Sequence, residues 1–289
     1  MDPHTLRVEL RRRITSGGVV MAPGAFDAFS ARLVEEAGFP AVYASGGAIA
    51  RSSGLPDLGL LSLEELVARI AQMTAAVRLP VIADGETGFG NALNAARTVR
   101  LYEDAGVAAM HLEDQVFPKR CGHYDGQEII PLEEMVGKVR AAVEARRDPD
   151  LVLIARTDAR SAAGLDEAIR RARAYAKAKA DVIFVEAPRS IDEVKAIAAA
   201  VSAPLLYNLT YSGKSPVLPP EQLRALGYRI IIYPADLQLA SLLAMRRALK
   251  ALQEQGLTPP PLRAPFEERD AVVRLDEYLA MSARYGGTD

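Results

Sequence analysis

The sequence predicts an α/β fold of the (β/α)8 barrel kind, and three observations carry the prediction. Eight short apolar, β-rich runs recur along the 289 residues, a segment of helical spacing follows each, and the runs are near-continuously apolar. Strands of that kind belong to a parallel sheet covered by helices, and eight such units close naturally on themselves.

A short amphipathic helix over 5–15 comes first and ends at Ser16-Gly17-Gly18. Strand and helix then alternate: 19–22 with 27–37, stopped by Gly38; 41–45 with 62–77, opened by a capping box of Ser62 and Glu65; 80–84 with 91–105, stopped by Gly106. The second half repeats the pattern: 108–112 with 132–147, 151–156 with 165–180, 181–186 with 190–201, 204–208 with 220–226, and 229–233 with 236–255. Ser190 with Glu193 reads as a second capping box and Gly256 as a stop. An open doubly wound sheet is the main competitor. Against it, Gly85-Glu86-Thr87-Gly88-Phe89-Gly90 lacks the G-x-G-x-x-G spacing of a dinucleotide loop and follows the third strand. The catalytic barrel is expected over 1–256. Beyond it, 257–289 reads as a separate helical arm, with Thr258-Pro259-Pro260-Pro261 as a stiff linker and a last helix near 271–283.

A hydrophobic share of 49% and a charged share of 25% are those of a globular protein with a sizeable core. The net charge is −2 and its signs are interspersed, which leaves no broad basic face for nucleic acid; Arg11-Arg12-Arg13 reads as a solvated helix face. No apolar run approaches ~20 residues and no signal-peptide core is found, so neither a membrane span nor export is expected. One cysteine excludes an internal disulfide framework, and a cytoplasmic protein is expected.

That cysteine, Cys121, lies in Lys119-Arg120-Cys121-Gly122-His123. Cationic neighbours favour thiolate, which makes Cys121 a candidate acid or nucleophile; the plainer alternative is a buried structural cysteine, against which stand its polar neighbours and Gly122 and Gly126. Its loop, 113–130, is long and rich in Gly and charge, as a lid over bound substrate would be. Barrel active sites lie at the C-terminal ends of the strands. There the chain sets Tyr43 and Ser45-Gly46-Gly47, with Asp57 farther along that loop, then Asp84 and Glu86, His111 and Glu113, Arg156 and Asp158, Glu186, and Asn208. Carboxylates without a matching density of His or Cys suit Mg2+ or Mn2+ rather than zinc. Arg156 suits bidentate capture of a substrate carboxylate, and Ser45-Gly46-Gly47 offers unobstructed backbone N–H groups, so an anionic substrate is implied. A 2-oxo or 2-hydroxy acid is the class a metal beside these groups would hold. His111 reads as a strand residue with a satisfied ring and His4 as an exposed one.

The motifs resemble the isocitrate lyase and phosphoenolpyruvate mutase superfamily from Pro23-Gly24-Ala25-Phe26-Asp27 to about Pro234. The telling pieces are Ser45-Gly46-Gly47, Gly54-Leu55-Pro56-Asp57-Leu58-Gly59, Thr87-Gly88-Phe89-Gly90-Asn91, His111-Leu112-Glu113-Asp114-Gln115, Lys119-Arg120-Cys121-Gly122-His123, Ala155-Arg156-Thr157-Asp158-Ala159 and Asn208-Leu209-Thr210. The likeness is nearest to the methylisocitrate lyases, where the K-R-C-G-H loop and the S-G-G turn occur together. It implies a (β/α)8 barrel whose terminal helix is exchanged between subunits, commonly in a tetramer, and a magnesium ion held by Asp84 with Glu86, Asp57 and Glu113. It implies cleavage of a C–C bond in a 2-hydroxy acid with Cys121 as general acid, accompanied by Tyr43, Glu113 and His123 as catalytic residues. Ser45, Gly46, Gly47 and Arg156 would then bind carboxylates, and Glu186, Asn208, Thr210 and Ser215 would line the pocket. Two departures point to a different substrate side chain: Asp84-Gly85-Glu86 where the family shows D-A-D, and Asn208-Leu209-Thr210-Tyr211-Ser212-Gly213 where methylisocitrate lyases show N-[ILM]-T-E-F-G. Within the superfamily the rivals are oxaloacetate hydrolysis or decarboxylation, dimethylmalate cleavage and a carboxyphosphonoenolpyruvate-type phosphonomutase. A non-catalytic barrel that binds dicarboxylates is the rival from another class.

Overall fold

Eight parallel strands close into a barrel in chain order, the eighth pairing with the first, in a computed structural model that describes residues 1–122, 124–211 and 213–286. They are β1 (Val20–Ala25), β2 (Val42–Ala44), β3 (Val81–Asp84), β4 (Ala109–Glu113), β5 (Val152–Thr157), β6 (Val182–Val185), β7 (Leu205–Asn208) and β8 (Tyr228–Tyr233). The helices are α1 (Pro3–Thr15), α2 (Ala28–Glu36), α3 (Gly46–Ser52), α4 (Leu63–Ala76), α5 (Ala92–Asp104), α6 (Leu132–Ala145), α7 (Ala159–Ala162), α8 (Leu165–Lys177), α9 (Ile191–Ala200), α10 (Pro220–Ala225), α11 (Asp236–Gln255), α12 (Phe266–Val272) and α13 (Leu275–Tyr285).

Successive strand side chains point to opposite faces, so residues two apart share one. The set that fills the barrel follows that period: Val20 and Ala22, Tyr43, Ile82, Ala109, Val152 and Ile154, Val182 and Phe184, Leu206, Ile230 and Ile232, all buried in one cluster. Leu10 and Ile14 of α1 join the same cluster, and Arg7 donates to Val107 O just ahead of β4. The helix before β1 therefore closes the end of the barrel where the strands begin.

Local signals explain most helix ends. Ser62 and Glu65 form the reciprocal capping box, Glu65 N donating to Ser62 Oγ at 3.2 Å and Ser62 N to Glu65 Oε2 at 2.8 Å. At α9 only half of the motif forms. Ser190 Oγ accepts from Glu193 N at 3.2 Å, but the Glu193 carboxylate is drawn to Arg160, at 2.6 and 2.7 Å, and to Arg189 N. Gly38, Gly106 and Gly256 all have the left-handed φ expected of helix stops. Two elements depart from expectation. The turn after β2 winds into α3, and the expected last helix is split in two, with Arg274 at φ +57 between α12 and α13.

The chain divides into two compact units, Met1–Asp236 and Leu237–Asp289. The division falls after the first residue of α11, whereas the sequence places the start of the arm after Gly256. Among the described residues no helix is long and apolar enough to cross a membrane.

Ile82, at 0% exposure inside the barrel, has no water-filled route to relax into if shortened. Ile82→Ala is expected to cost about 2–5 kcal/mol, read as a lowered midpoint of thermal or denaturant unfolding; an unchanged midpoint would refute the packing described.

Candidate active site

Beyond the apolar layers the same inward positions turn polar. Tyr43, Asp84, His111, Glu113, Arg156, Glu186 and Asn208 are all buried at the C-terminal ends of their strands, and the register pairs Asp84 with His111 and Glu113 with Arg156. His111 Nε2 lies 2.9 Å from Tyr43 Oη and 3.6 Å from Asp84 Oδ1. Asp84, His111 and Glu113 each offer a ligand atom within 4.8 Å of the others.

Three carboxylates converge on the Ser45-Gly46-Gly47 turn. Ser45 Oγ caps α3 by accepting from Ala48 N at 3.3 Å. A Cβ on Gly46 would stand 2.6 Å from Asp84 Oδ2 and 2.8 Å from Glu86 Oε1, and one on Gly47 would stand 2.6 Å from Asp57 Oδ2. Only hydrogen fits at either position. Lys119 binds the group from the other side, with Nζ 2.5 Å from Asp57 Oδ1 and 3.0 Å from Glu86 Oε2.

The Asp84-Gly85-Glu86 departure has a local cause. Gly85 N donates to His111 O at 2.9 Å, so close that a Cβ would lie 2.5 Å from that carbonyl and 2.8 Å from Met110 Cε. Glu86 itself has φ +52, a left-handed conformation that costs a non-glycine residue about 1 kcal/mol or more. The strain turns its carboxylate back toward Asp84 and Lys119.

Arg156 is caged rather than free. Its Nε and Nη2 donate to the two oxygens of Asp158 at 2.9 and 2.8 Å, while Nη1 lies 3.3 Å from Glu113 Oε2 and Nη2 3.5 Å from Glu186 Oε2. The bidentate edge expected to meet substrate is thus taken by Asp158, leaving the Nη end toward Glu113 and Glu186. Asp158 is held in turn by Asp114, which is fully buried and accepts from Asp158 N, Thr157 Oγ1, Tyr175 Oη and Arg171 Nη1 at 2.6–3.1 Å. Asn208 Nδ2 donates to Glu186 at 3.1 Å and Thr210 Oγ1 to Asn208 Oδ1 at 2.9 Å, so these three form a line.

The loop bearing Cys121 is pinned at its base and folded over this group. Val116 N donates to Glu128 O and Ile130 N to Asp114 O, closing the loop like a hairpin. Gln115 bonds Arg120 through both ends of its amide and donates to Glu113 Oε1 at 3.2 Å. Gln127 Nε2 donates to the carbonyls of Cys121, Gly122 and Tyr124 at 2.7–3.0 Å. Gly122 is seated so closely that a Cβ would stand 2.5 Å from Glu186 Cγ and 2.7 Å from Arg156 Nη2. Cys121 is half-buried beside it.

Six buried acids, Asp57, Asp84, Glu86, Glu113, Asp158 and Glu186, face two buried cations among these residues, Lys119 and Arg156. Burial pushes Glu86 up to about 7, with Lys119 opposing and Asp84 and Asp57 adding to the rise. Glu113 is pushed well above the carboxylate range by burial, against Arg156 and Lys119. Burial also raises Asp84, but His111, Lys119, Arg156 and the Glu86 N–H outweigh it and hold Asp84 at about 2. Burial drops His111 to about 4, so its ring is neutral at pH 7. Glu86 Oε2, Glu113 Oε2 and His111 Nδ1 are buried and make no hydrogen bond. A divalent cation fits: it offsets the surplus charge and takes up oxygens that Lys119 and Arg156 approach as ion pairs without a hydrogen bond.

The structure thus brings together Tyr43, Ser45, Gly46, Gly47, Asp57, Asp84, Glu86, Glu113, Arg156, Glu186, Asn208 and Thr210. Ser215 is buried farther along the β7 loop, and His123 lies outside the described residues. Tyr211, the second departure, is 87% exposed. His111 differs from expectation: its ring faces the acids, because it shares Glu113's face two residues away, and one nitrogen has no partner. Lys119, Gln115 and Gln127 were legible only as members of a motif and a polar loop.

Fold and site define a TIM-barrel enzyme whose strand ends gather buried acids and an arginine, with a loop cysteine beside them. The chain belongs to the phosphoenolpyruvate phosphomutase family, whose description matches residues 10–253, within the isocitrate lyase and phosphoenolpyruvate mutase superfamily. It is a carbon–carbon lyase by the company of its relatives. It is 47% identical to 2,3-dimethylmalate lyase of Eubacterium barkeri over 280 residues, 96% of this chain and 97% of that one. It is also 47% identical to 2-methylisocitrate lyase of Aeropyrum pernix over 247 residues, 86% and 80% of the two chains. Among solved structures, oxaloacetate acetylhydrolase in complex with 3,3-difluorooxalacetate superposes with a TM-score of 0.94 at 34% identity, covering 100% of this chain and 99% of that one.

Gly85→Ala is expected to lose about 1–3 kcal/mol of stability, seen as a drop in thermal midpoint. A variant as stable as the parent would mean that Gly85 and His111 O do not approach as described.

Proposed function

We propose that the protein is a Mg2+-dependent lyase that cleaves a 2-hydroxy di- or tricarboxylate of the 2-methylisocitrate type. The products are a 2-oxo acid such as pyruvate and a second carboxylate such as succinate. The observation that carries the reading is the seating of Gly122 against Arg156 and Glu186, which brings the chain's one cysteine to a cluster of buried acids. Superfamily members use Mg2+. Asp84, Glu86, Asp57 and Glu113 would hold it here, with Mn2+ the natural substitute, and it supplies Lewis-acid stabilisation of charge growing on substrate oxygen.

The protein's own residues do the rest. The Nη end of Arg156 and the Ser45-Gly46-Gly47 turn orient the substrate carboxylates, and Glu186, Asn208, Thr210 and Ser215 shape the pocket around its second fragment. Cleavage removes the 2-hydroxyl proton, forms the 2-oxo C=O and breaks the adjacent C–C bond, whose electron pair stays on the second fragment. Tyr43 and Glu113 hold and take up the hydroxyl proton. Cys121 delivers a proton to the departing carbon, with His123 as its neighbour in the loop, and the closed loop keeps water away from that carbon.

Two other substrates have a specific observation behind them. 2,3-Dimethylmalate belongs to the same 2-hydroxy class and is the substrate named for the relative matched along nearly its whole length. Oxaloacetate is named for the relative of TM-score 0.94; a phosphonomutase remains the third branch. A panel of 2-methylisocitrate, isocitrate, 2,3-dimethylmalate, citramalate and oxaloacetate, scored for 2-oxo acid release, separates them. Release from a hydroxy acid is expected to vanish on exhaustive chelation and return with Mg2+; turnover that survives chelation contradicts the reading.

Cys121→Ser is expected to lower kcat by at least about 100-fold, the range of a general acid, while ligand binding measured by calorimetry persists. Equal turnover in the variant would remove Cys121 from the reaction. We further propose that the protein works in the cytoplasm as a homotetramer with swapped terminal helices. Leu239, Leu242, Leu243, Met245 and Leu249 of α11 and Tyr278, Leu279 and Met281 of α13 are exposed in the single chain, as surfaces awaiting a partner are. Light scattering that returns a monomer would overturn this.

A further inference from the structure

Lys214 stands on the β7 loop, yet its partners are on the β4 loop. Its Nζ donates to Tyr124 O at 2.6 Å and to Asp125 Oδ1 at 2.8 Å. Because β5 and β6 lie between β4 and β7 in the barrel, this one side chain spans the strand ends that carry Arg156 and Glu186. Its own footing is firm. Tyr207 Oη donates to Pro216 O at 2.6 Å, Gly213 N to Thr210 O at 3.0 Å, and Ser215 and Leu218 are buried.

The far end of the bridge leads directly to the cysteine. Tyr124 N donates to Cys121 O at 2.9 Å, and Gln127 Nε2 donates to both Cys121 O and Tyr124 O. Tyr124 O therefore accepts from the loop's internal brace, Gln127, and from the external one, Lys214. Asp125 is 95% exposed, so its ion pair with Lys214 contributes little. The bond to the backbone carbonyl is the one that holds. Arg51 adds a weaker contact, Nη2 to Tyr124 Oη at 3.5 Å.

We infer that Lys214 is a positioning residue that fastens Tyr124, and through it Cys121, across the barrel mouth, acting on the chemistry through Cys121. The inference rests on the proposed role of Cys121, but not on which acid is cleaved. It also assigns the β7 loop a task apart from lining the pocket: it carries the catch for the β4 loop.

Cys121 is the only cysteine in the chain, so the alkylation rate of the full-length protein with uncharged iodoacetamide reports on that one thiol, through its exposure and its thiolate fraction. Lys214→Ala and, as a second variant, Lys214→Gln are expected to raise that rate about fivefold or more, the effect of losing one charge-assisted hydrogen bond. Lys214→Arg, which keeps the donor and the charge, is expected to restore slow alkylation. Removing a nearby positive charge by itself lowers the thiolate fraction and slows alkylation, so acceleration cannot come from charge loss. Rates at or below the parent's in both neutral variants, or an arginine variant as fast as the alanine one, would overturn the inference. Acceleration in a protein that releases no 2-oxo acid from any substrate upholds the catch and sinks the lyase reading. An unchanged rate in Lys214→Ala of an enzyme that does cleave a hydroxy acid sinks the catch alone.

Discussion

Negative charge held out of water is the constraint the rest of the structure serves. A carboxylate loses far more hydration on burial than one neighbour returns, so six of them in one place demand cations and donors from every side. Lys119 answers Asp57 and Glu86, and Arg156 answers Asp158, Glu113 and Glu186. Even so, burial displaces Glu86 and Glu113 upward, beyond what Lys119 and Arg156 offset. The glycines follow from the same crowding, since Gly46 and Gly47 lie where any side chain would strike an acid.

The rigid and the adjustable parts are divided by element. The acids and Arg156 come from strand ends whose inward direction is dictated by the barrel period, with Asp114, itself held by Arg171 and Tyr175 of α8, accepting from the Asp158 backbone N–H. The cysteine comes from a loop whose internal order depends on two glutamine side chains, Gln115 and Gln127. The acids and Arg156 are therefore placed by the barrel, whereas Lys119, which answers two of those acids, and Cys121 beside it come from the loop.

Much of this was legible in the residues. Eight apolar runs with helical spacers specify a closed parallel barrel, and reading every second residue past each run reaches Asp84, Glu113, Arg156, Glu186 and Asn208. What was not legible came from groups without a period. Lys119 and the two glutamines lie in a loop, where nothing in the spacing tells a buried cation from a solvated one. His111 carried the right parity, but a histidine in a strand reads as a filled core position until the empty partner of Nδ1 is seen. Glu193 has the spacing of a capping box and yet turns to Arg160, a residue 33 positions away that no local pattern reveals. The break at Arg274 likewise needs a left-handed backbone that neither glycine nor asparagine announces.

A floor built of backbone has a consequence for how such an enzyme diversifies. Gly46, Gly47 and Gly122 each meet a neighbour within 2.5–2.6 Å of where a first carbon would go. Mutation therefore has almost no graded options at these three positions against the buried acids and Arg156. Tyr211, open to solvent on the β7 loop, has nearly all of them. Sequence change is thus open on the β7 loop and closed at the glycines, and the open loop also holds the lysine that reaches Tyr124.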